Sequence, residues 1–296
     1  MDFLTIGNVT RDIIPGGYTV GGTVTYASAA ALRLGRRPGV LTRLGPDIDL
    51  PDLYGDVQLF PLPWRCTLTF ENIYTEDGRV QYVHEVGGPI GIQDIPLALR
   101  EHNPPIVLLG PLAGELDYKV AQLFPNSLLG MVPQGWMRHW DATGRVSHNP
   151  IDCADEILRH ADVLVVSTED VAHDLSLAQC YSEQVPILVL TRGAHGCDVY
   201  HKGHITHVRP RKTEEVDPTG AGDTFTAAFL IRYAETDDPI DAARFANVAA
   251  SMSVEGLSYQ AMPTRAQIEA YLAQHSGGPR AYRQAGQEWH ELTRSS

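Results

Sequence analysis

Residues 215–229 read Glu-Val-Asp-Pro-Thr-Gly-Ala-Gly-Asp-Thr-Phe-Thr-Ala-Ala-Phe, a turn that passes through glycines into an apolar helix. Gly220 and Gly222 let the backbone approach a ligand closely and turn successive N–H groups outward, and the helix dipole adds partial positive charge at the same place. That makes an anion site. Asp223 lies in the same first turn, where the dipole and nearby N–H groups favour its ionised form, so it can accept a proton from a hydroxyl held beside a phosphoryl group. Phosphoryl transfer to an alcohol needs this pairing, because its loose transition state demands positioning and charge stabilisation more than strong basicity. The competing reading is a sharp helix entry made by Pro218 and the glycines, with Asp223 as a capping carboxylate. The chain has no G-x-x-x-x-G-K-[ST], no G-x-G-x-x-G after its first strand, no H-E-x-x-H and no G-x-S-x-G, which excludes a P-loop, a dinucleotide site, a zincin and a hydrolase elbow.

These residues need a frame. Short apolar runs bounded by turn residues recur at 3–6, 40–44, 106–109, 128–132, 163–166 and 187–190, and they read as buried strands. Segments with helical spacing lie between them at 24–34, 117–124, 154–160, 171–181 and 224–234. Alternating strands and helices imply right-handed βαβ units and a parallel central sheet covered on both faces. One stretch differs: residues 67–75 alternate with period two, Glu76-Asp77-Gly78 marks a turn, and 79–83 follow, which together predict a hairpin. A half-polar ribbon in such a chain reads either as a flap that closes over a site or as a static edge. From about Gln274 the chain turns polar and is punctuated by Gly and Pro before a short helical pattern, so 276–296 reads as a peripheral tail.

Composition narrows the partners. The 296 residues carry 23 Lys plus Arg against 36 Asp plus Glu, a formal charge of −13, with 43% hydrophobic residues. That is a globular chain long enough to bury its own core, and its acidity argues against nucleic acid, whose affinity comes mainly from Lys and Arg. Four cysteines at 66, 153, 180 and 197 show no C-x-x-C spacing and are too few for a disulfide framework. No apolar run approaches the roughly 20 residues that span a bilayer, and the N-terminus lacks a basic segment, so a cytoplasmic protein without membrane contact is expected. The histidines at 201, 204 and 207 do not make a metal site, because a spacing of three in one strand alternates faces.

Asp-Pro-Thr-Gly-Ala-Gly-Asp-Thr-Phe at 217–225 resembles the C-terminal signature of the ribokinase-like carbohydrate kinases, the phosphofructokinase-B family. Gly21-Gly22 with Ala27, followed by Leu34-Gly35 and Leu44-Gly45-Pro46-Asp47, resembles that family's N-terminal signature. Thr191-Arg-Gly-Ala-His-Gly196 is similar to its T-x-G-x-x-G turn, and Asn247 falls in a late helix where the family places a nucleotide contact. The resemblance implies a ribokinase-like three-layer α/β sandwich over residues 1–275, with a mainly parallel central sheet and a small β lid drawn from about 12–20 and 66–90. It also implies an enzyme that moves the γ-phosphoryl of ATP, with Mg²⁺, to a hydroxyl of a small sugar or polyol, acting as a monomer or homodimer.

Carried over, the resemblance makes Asp223 the base and Gly220, Ala221 and Gly222 the anion hole. Asp12, Gly21, Gly22, Tyr26 and Arg138 would bind the acceptor. Ser167, Thr191, Arg192, Gly193, Gly196 and Asn247 would lie along the nucleotide, and Asp170 or Glu169 would hold Mg²⁺ through water. Three motifs depart from the family: Tyr26 replaces an Asn, Ser167-Thr-Glu-Asp170 replaces N-x-x-E, and Gln134-Gly-Trp-Met-Arg138 keeps only the arginine of D-x-N-x-R. Residues 133–138 together with Phe70-Glu-Asn-Ile-Tyr74 lean toward the inositol-kinase-like branch, with Trp136 either stacked on a ring or packed in the core. The alternatives are a nucleoside kinase with a base pocket of Tyr26, Trp136 and Tyr74, and a catalytically silent sugar-binding regulator.

Overall fold

A computed structural model describes residues 1–75, 78–152, 156–275, 281–284 and 290–291. The strands in chain order are β1 (Phe3–Ile6), β2 (Thr10–Ile14), β3 (Gly17–Gly21), β4 (Pro38–Leu44), β5 (Gln58–Pro63), β6 (Leu68–Thr75), β7 (Gly78–Glu85), β8 (Ile106–Leu109) and β9 (Leu128–Met131). They continue with β10 (Arg138–Trp140), β11 (Val146–His148), β12 (Val163–Ser167), β13 (Ile187–Thr191), β14 (Cys197–His201), β15 (His204–Val208), β16 (Ala281–Gln284) and β17 (His290–Glu291). The helices are α1 (Thr23–Arg33), α2 (Leu97–His102), α3 (Gln134–Met137), α4 (Leu175–Ser182), α5 (Ala221–Thr236), α6 (Pro239–Ser253) and α7 (Arg265–Gln274).

The main sheet has the order β17-β16-β15-β14-β13-β12-β9-β8-β1-β4-β5. The seven strands from β13 to β5 pair in parallel, and β14 to β17 extend them antiparallel. All six expected strands are present, because a strand covered on both faces is a continuous apolar run. The two faces are easily told apart: Ile106, Leu108, Val163 and Val165 pack under α1, α5 and α6, whereas Val107, Leu109, Leu164 and Val166 pack on the opposite side. Helices on both faces of a mainly parallel sheet give three layers.

A separate four-stranded sheet, β3-β2-β6-β7, joins two hairpins through a parallel β2–β6 pairing. This is the small β lid, with Asn72 opposite Gln81 in its second hairpin. The Glu76-Asp77 part of the expected turn lies outside the described residues.

Helices formed where capping chemistry supports them. Asp238 accepts from the N–H groups of Ile240 and Asp241 and is followed by Pro239, so α6 starts cleanly. Residues 117–124 hold only a 3₁₀ turn over Tyr118–Leu123, since Pro125 stops propagation. Glu156–His160 is likewise 3₁₀, and the start of that expected helix lies outside the described residues. The helix expected from 171 begins only at Leu175, where Asp174 caps it after Ala172 and His173 adopt left-handed backbone angles. Beyond residue 275, the short helical pattern gives way to β16 and β17 where the chain is described, and β16 pairs with β15. Cys66 and Cys197 are free thiols, whereas Cys180 is disulfide-bonded, a bond the cysteine spacing gave no reason to expect. No helix among the described residues is long and apolar enough to cross a membrane.

Removing the α6 cap with Asp238→Ala should cost about 1 kcal/mol. A urea midpoint that does not move would show that Pro239 and the packing of α6 alone set its start.

Candidate active site

The C-terminal ends of β12 and β13, the first turn of α5, the start of α1 and the lid surround a cavity of about 260 Å³. Such a position, outside the carboxyl ends of parallel strands, is where open α/β sheets bind ligands. Asp12, Gly22, Tyr26, Arg138, Ser167 and Asp170 line it, with Thr191 and the Gly220–Asp223 turn. Residues dispersed from 12 to 223 therefore converge. Gly21, Arg192, Gly193, Gly196 and Asn247 do not line it.

The turn before α5 is held from below. Asp217 accepts from the Thr219 N–H at 3.0 Å and the Ser258 N–H at 3.0 Å; burial pushes its carboxyl up, but these bonds outweigh it and hold it below its ordinary range. Gly220 is left-handed, with φ +77°, and any side chain there would collide with the Tyr26 ring. Gly222 is different. It has an ordinary helical backbone, and a side chain there would meet nothing within 4 Å, so its value is the open space it leaves. The Ala221 N–H is spent on the Pro218 carbonyl at 3.1 Å, whereas the N–H groups of Gly220, Gly222 and Asp223 donate to no acceptor among the described residues. Three orphan donors at a helix start form the cradle expected for an anion.

Asp223 faces the cavity from this turn. Burial pushes its carboxyl up to about 6, against the pull of a hydrogen bond from the Thr23 hydroxyl and the positive charge of Arg138. The expectation that local dipoles dominate Asp223 is thus corrected: desolvation wins. Thr23, the first residue of α1, gave no signal in the sequence; it packs where any side chain at Gly110 would stand.

Opposite this turn, Asp12 lies against Gly21, where a side chain would overlap its carboxylate. Gly21 thus serves Asp12 rather than the cavity itself. Arg138 is 9% exposed, donates to the Leu112 carbonyl at 3.1 Å and lies over the Phe70 ring at 5.3 Å. Asn72 and Gln81, missed in the sequence, add amides from the lid, with Gln81 Nε2 donating to Asn72 Oδ1 at 2.9 Å.

Asp170, rather than Glu169, lines the cavity. It accepts from the Ser167 N–H at 2.7 Å and lies 3.2 Å from His148 Nε2. Burial pushes its carboxyl up, but the bonds from His148 and Ser167 prevail and hold it below its ordinary range. A carboxylate kept charged, with each oxygen already engaged, suits a cation held through water better than direct ligation.

Two expected placements change, and Trp136 takes the second of its two readings. The Asn247 amide donates to the Val208 and Arg209 carbonyls at 3.0 and 3.4 Å, tying α6 to the end of β15. Arg192 is bonded to Asp198 at 3.0 Å, and the same buried carboxylate takes His207 at 2.7 Å. Trp136 donates its Nε1–H to the Leu116 carbonyl at 2.7 Å and packs beside the core, away from the cavity. Tyr26 is buried with its hydroxyl bonded to Ser258, and burial pushes that phenol up. His201 and His204 face each other across a turn between two strands instead of sharing one, and no metal-holding group of acidic, His or Cys side chains occurs among the described residues.

This fold is shared with proteins of known activity. Residues 147–265 match the pfkB family carbohydrate kinase model. The chain is 37% identical over 123 residues to ribokinase of Bacillus subtilis (strain 168), covering 40% of this chain and 42% of that one. With cytidine kinase of Thermococcus kodakarensis it shares 27% identity over 255 residues, 79% of this chain and 88% of that one. Among solved structures, a pyrophosphate-dependent kinase in the ribokinase family, complexed with a pyrophosphate analog and myo-inositol, matches with TM-score 0.74 at 20% identity, covering 91% of this chain and 99% of that one. The chain thus has the ribokinase-family fold, and its residues 147–265 are similar to the pfkB family carbohydrate kinases.

The raised Asp223 carboxyl has a consequence for stability. The folded chain binds this proton more tightly than the unfolded chain, so stability falls as pH climbs from about 4 to about 6 and stays low above. Asp223→Asn should therefore raise the melting temperature at pH 8 and leave it nearly unchanged at pH 4. Equal shifts at both pH values would remove desolvation as the cause.

Proposed function

We propose that this chain moves the γ-phosphoryl group of ATP to a hydroxyl of a sugar or cyclic polyol, with an inositol-like ring the favoured acceptor. The observation that carries this is Asp223 standing in the first turn of α5, beside the unspent N–H groups of Gly220 and Gly222 and across the cavity from Asp12. One group can take the proton, another can hold the transferred charge, and a third can fix the acceptor.

In this reading Asp12 and the Asn72–Gln81 amides accept from and donate to acceptor hydroxyls, and Arg138 closes the wall beside them. Asp223 takes the proton of the hydroxyl that attacks. Its raised carboxyl makes it a stronger base than an exposed aspartate while leaving it ionised near neutrality. The N–H groups of Gly220, Gly222 and Asp223 then receive the charge that develops on the phosphoryl oxygens. Mg²⁺, when bound through water at Asp170, supplies charge neutralisation to the donor phosphates. Ser167 and Thr191, at the ends of β12 and β13, border the donor side, while Arg192, Gly193 and Gly196 shape the turn behind it.

An extended flat base pocket has less support. Trp136 is committed to Leu116, and the Tyr26 ring is committed to Gly220, so neither is free to sandwich a nucleobase. ADP release across polyols, sugars and nucleosides tests acceptor and activity together, and replacement of ATP by pyrophosphate tests the donor. Absence of turnover with every pair would leave a sugar-binding regulator.

Asp223→Asn should lower kcat by about 10²- to 10⁴-fold with ATP affinity retained. In the unaltered protein kcat/KM should rise with pH through about 6, because only the deprotonated Asp223 can act. A profile flat from pH 5 to 8 would remove Asp223 from the base role. Asp12→Ala should weaken acceptor binding by about tenfold or more while ATP binding is spared; calorimetry that finds equal losses for both ligands would remove Asp12 from the acceptor site.

A further inference from the structure

Glu115 is a carboxylate with 6% exposure that none of the chemistry above uses. It lies in the loop after β8, and its partners among the described residues are backbone N–H groups. Oε1 accepts from Asn8 at 3.3 Å and Leu112 at 3.0 Å, and Oε2 accepts from Leu112 at 3.0 Å and Ala113 at 2.7 Å. Burial pushes the Glu115 carboxyl up, and these N–H groups oppose that pull. Taking a carboxylate out of water is costly, so its place has to be explained by what it holds.

It holds the entry stem of the lid directly, and the exit stem is tied to the same point. Asn8 is two residues before β2, where the chain enters the lid, and its side chain donates to the Gly88 carbonyl at 3.2 Å on the way out. The exit is tied a second time, since the Ile90 N–H donates to the Glu115 carbonyl at 2.7 Å. The same residue fixes the cavity wall. Leu112, held by both carboxylate oxygens, abuts the place where a side chain on Gly22 would stand, and its carbonyl receives Arg138, whose guanidinium covers Phe70 of β6. Lid entry and the Leu112–Arg138 wall thus converge on the Glu115 carboxylate, and the lid exit is tied beside it through Asn8 and the Glu115 main-chain carbonyl.

We propose that Glu115 is a positioning residue that locks the lid stems to the Leu112–Arg138 wall, so that the lid and the acceptor side of the cavity hold one arrangement. The proposal rests on the kinase reading for its kinetic arm only. Glu115→Gln is the informative change. The amide oxygen can still serve Leu112 and Ala113, but its nitrogen then faces the Asn8 N–H, and the tie to the lid entry is lost.

In Glu115→Gln the KM for the acceptor should rise by about tenfold or more, with the KM for ATP within about twofold of the unaltered protein. Combined with Arg138→Lys, the same change should add less than about twofold, because both act through the Leu112 wall. Without any ligand, amide exchange in residues 68–75 and 80–85 should speed by about tenfold, with strands 106–109 and 163–167 unchanged. The exchange arm needs no turnover, so it decides the proposal even if no acceptor is phosphorylated. Should Glu115→Gln fail to accumulate folded, Glu115→Asp, which keeps the charge and shortens the reach, should show the same pattern in weaker form. Equal changes in both KM values, additive effects with Arg138→Lys, or lid exchange that stays slow would each overturn it.

Discussion

The Tyr26 ring lies on the bare Cα of Gly220, and this contact decides where α1 and α5 begin relative to each other. Both helices start with a left-handed glycine, Gly22 and Gly220, and both point their N-termini at the cavity. Two helix starts bring partial positive charge and orphan N–H groups to one place, adding to the one guanidinium of Arg138. A side chain on Gly220 would push Tyr26 away, and with it the start of α1, Thr23 and the bond that Thr23 makes to Asp223.

Charge in the cavity is balanced by different means on its two sides. Asp12, Asp170 and Asp223 face it against the single guanidinium of Arg138. A donor bearing several phosphate charges would meet net repulsion there unless the helix termini and a bound cation offset it. Arg192 does not help, because Asp198 holds it. A neutral alcohol beside Asp12 would meet no such repulsion, since hydroxyls donate to carboxylates. Asp223 lies between the sides, desolvated enough to be raised yet held below the range of a fully isolated buried acid by Thr23 and Arg138.

Much of this was legible in the order of residues, and the reason differs from element to element. The strands declared themselves because both faces of the parallel sheet are dry, so no polar alternation blurs them. The Gly220–Asp223 turn was legible because its chemistry is contiguous, whereas Asp12 with Gly21-Gly22 came from the family resemblance alone, and the hairpin that brings them together is a finding of the fold. Thr23, His148, Glu115 and Gln81 left no local trace: each acts on a partner that only the folded chain supplies. Trp136, Arg192 and Asn247 show the opposite case. Each has a side chain suited to a ligand, yet the Leu116 carbonyl, Asp198 and the Val208 carbonyl satisfy them first, and a local pattern cannot reveal such a competitor. Gly222 was singled out for its backbone freedom, yet its backbone is ordinary and what the structure shows there is empty space.

The lid shows how a small sheet can be rigid at its root and adaptable above it. Its two hairpins meet through four parallel register positions between β2 and β6, and β7 pairs with β6 along its length and with residues 144–145 through a single bridge. A two-stranded edge has little stability of its own, so the outer hairpin depends on what lies beneath it. Phe70, Leu68 and Val83 supply an apolar underside that packs on Leu112 and Ala113, the same two residues whose N–H groups Glu115 holds. The lid therefore rests on a loop made rigid by a buried carboxylate, while Asn72 and Gln81 extend over the cavity as amides with donor and acceptor capacity beyond the bond they share. Rigidity is placed where the lid meets the Leu112–Ala113 loop, and hydrogen-bonding versatility where it faces the cavity.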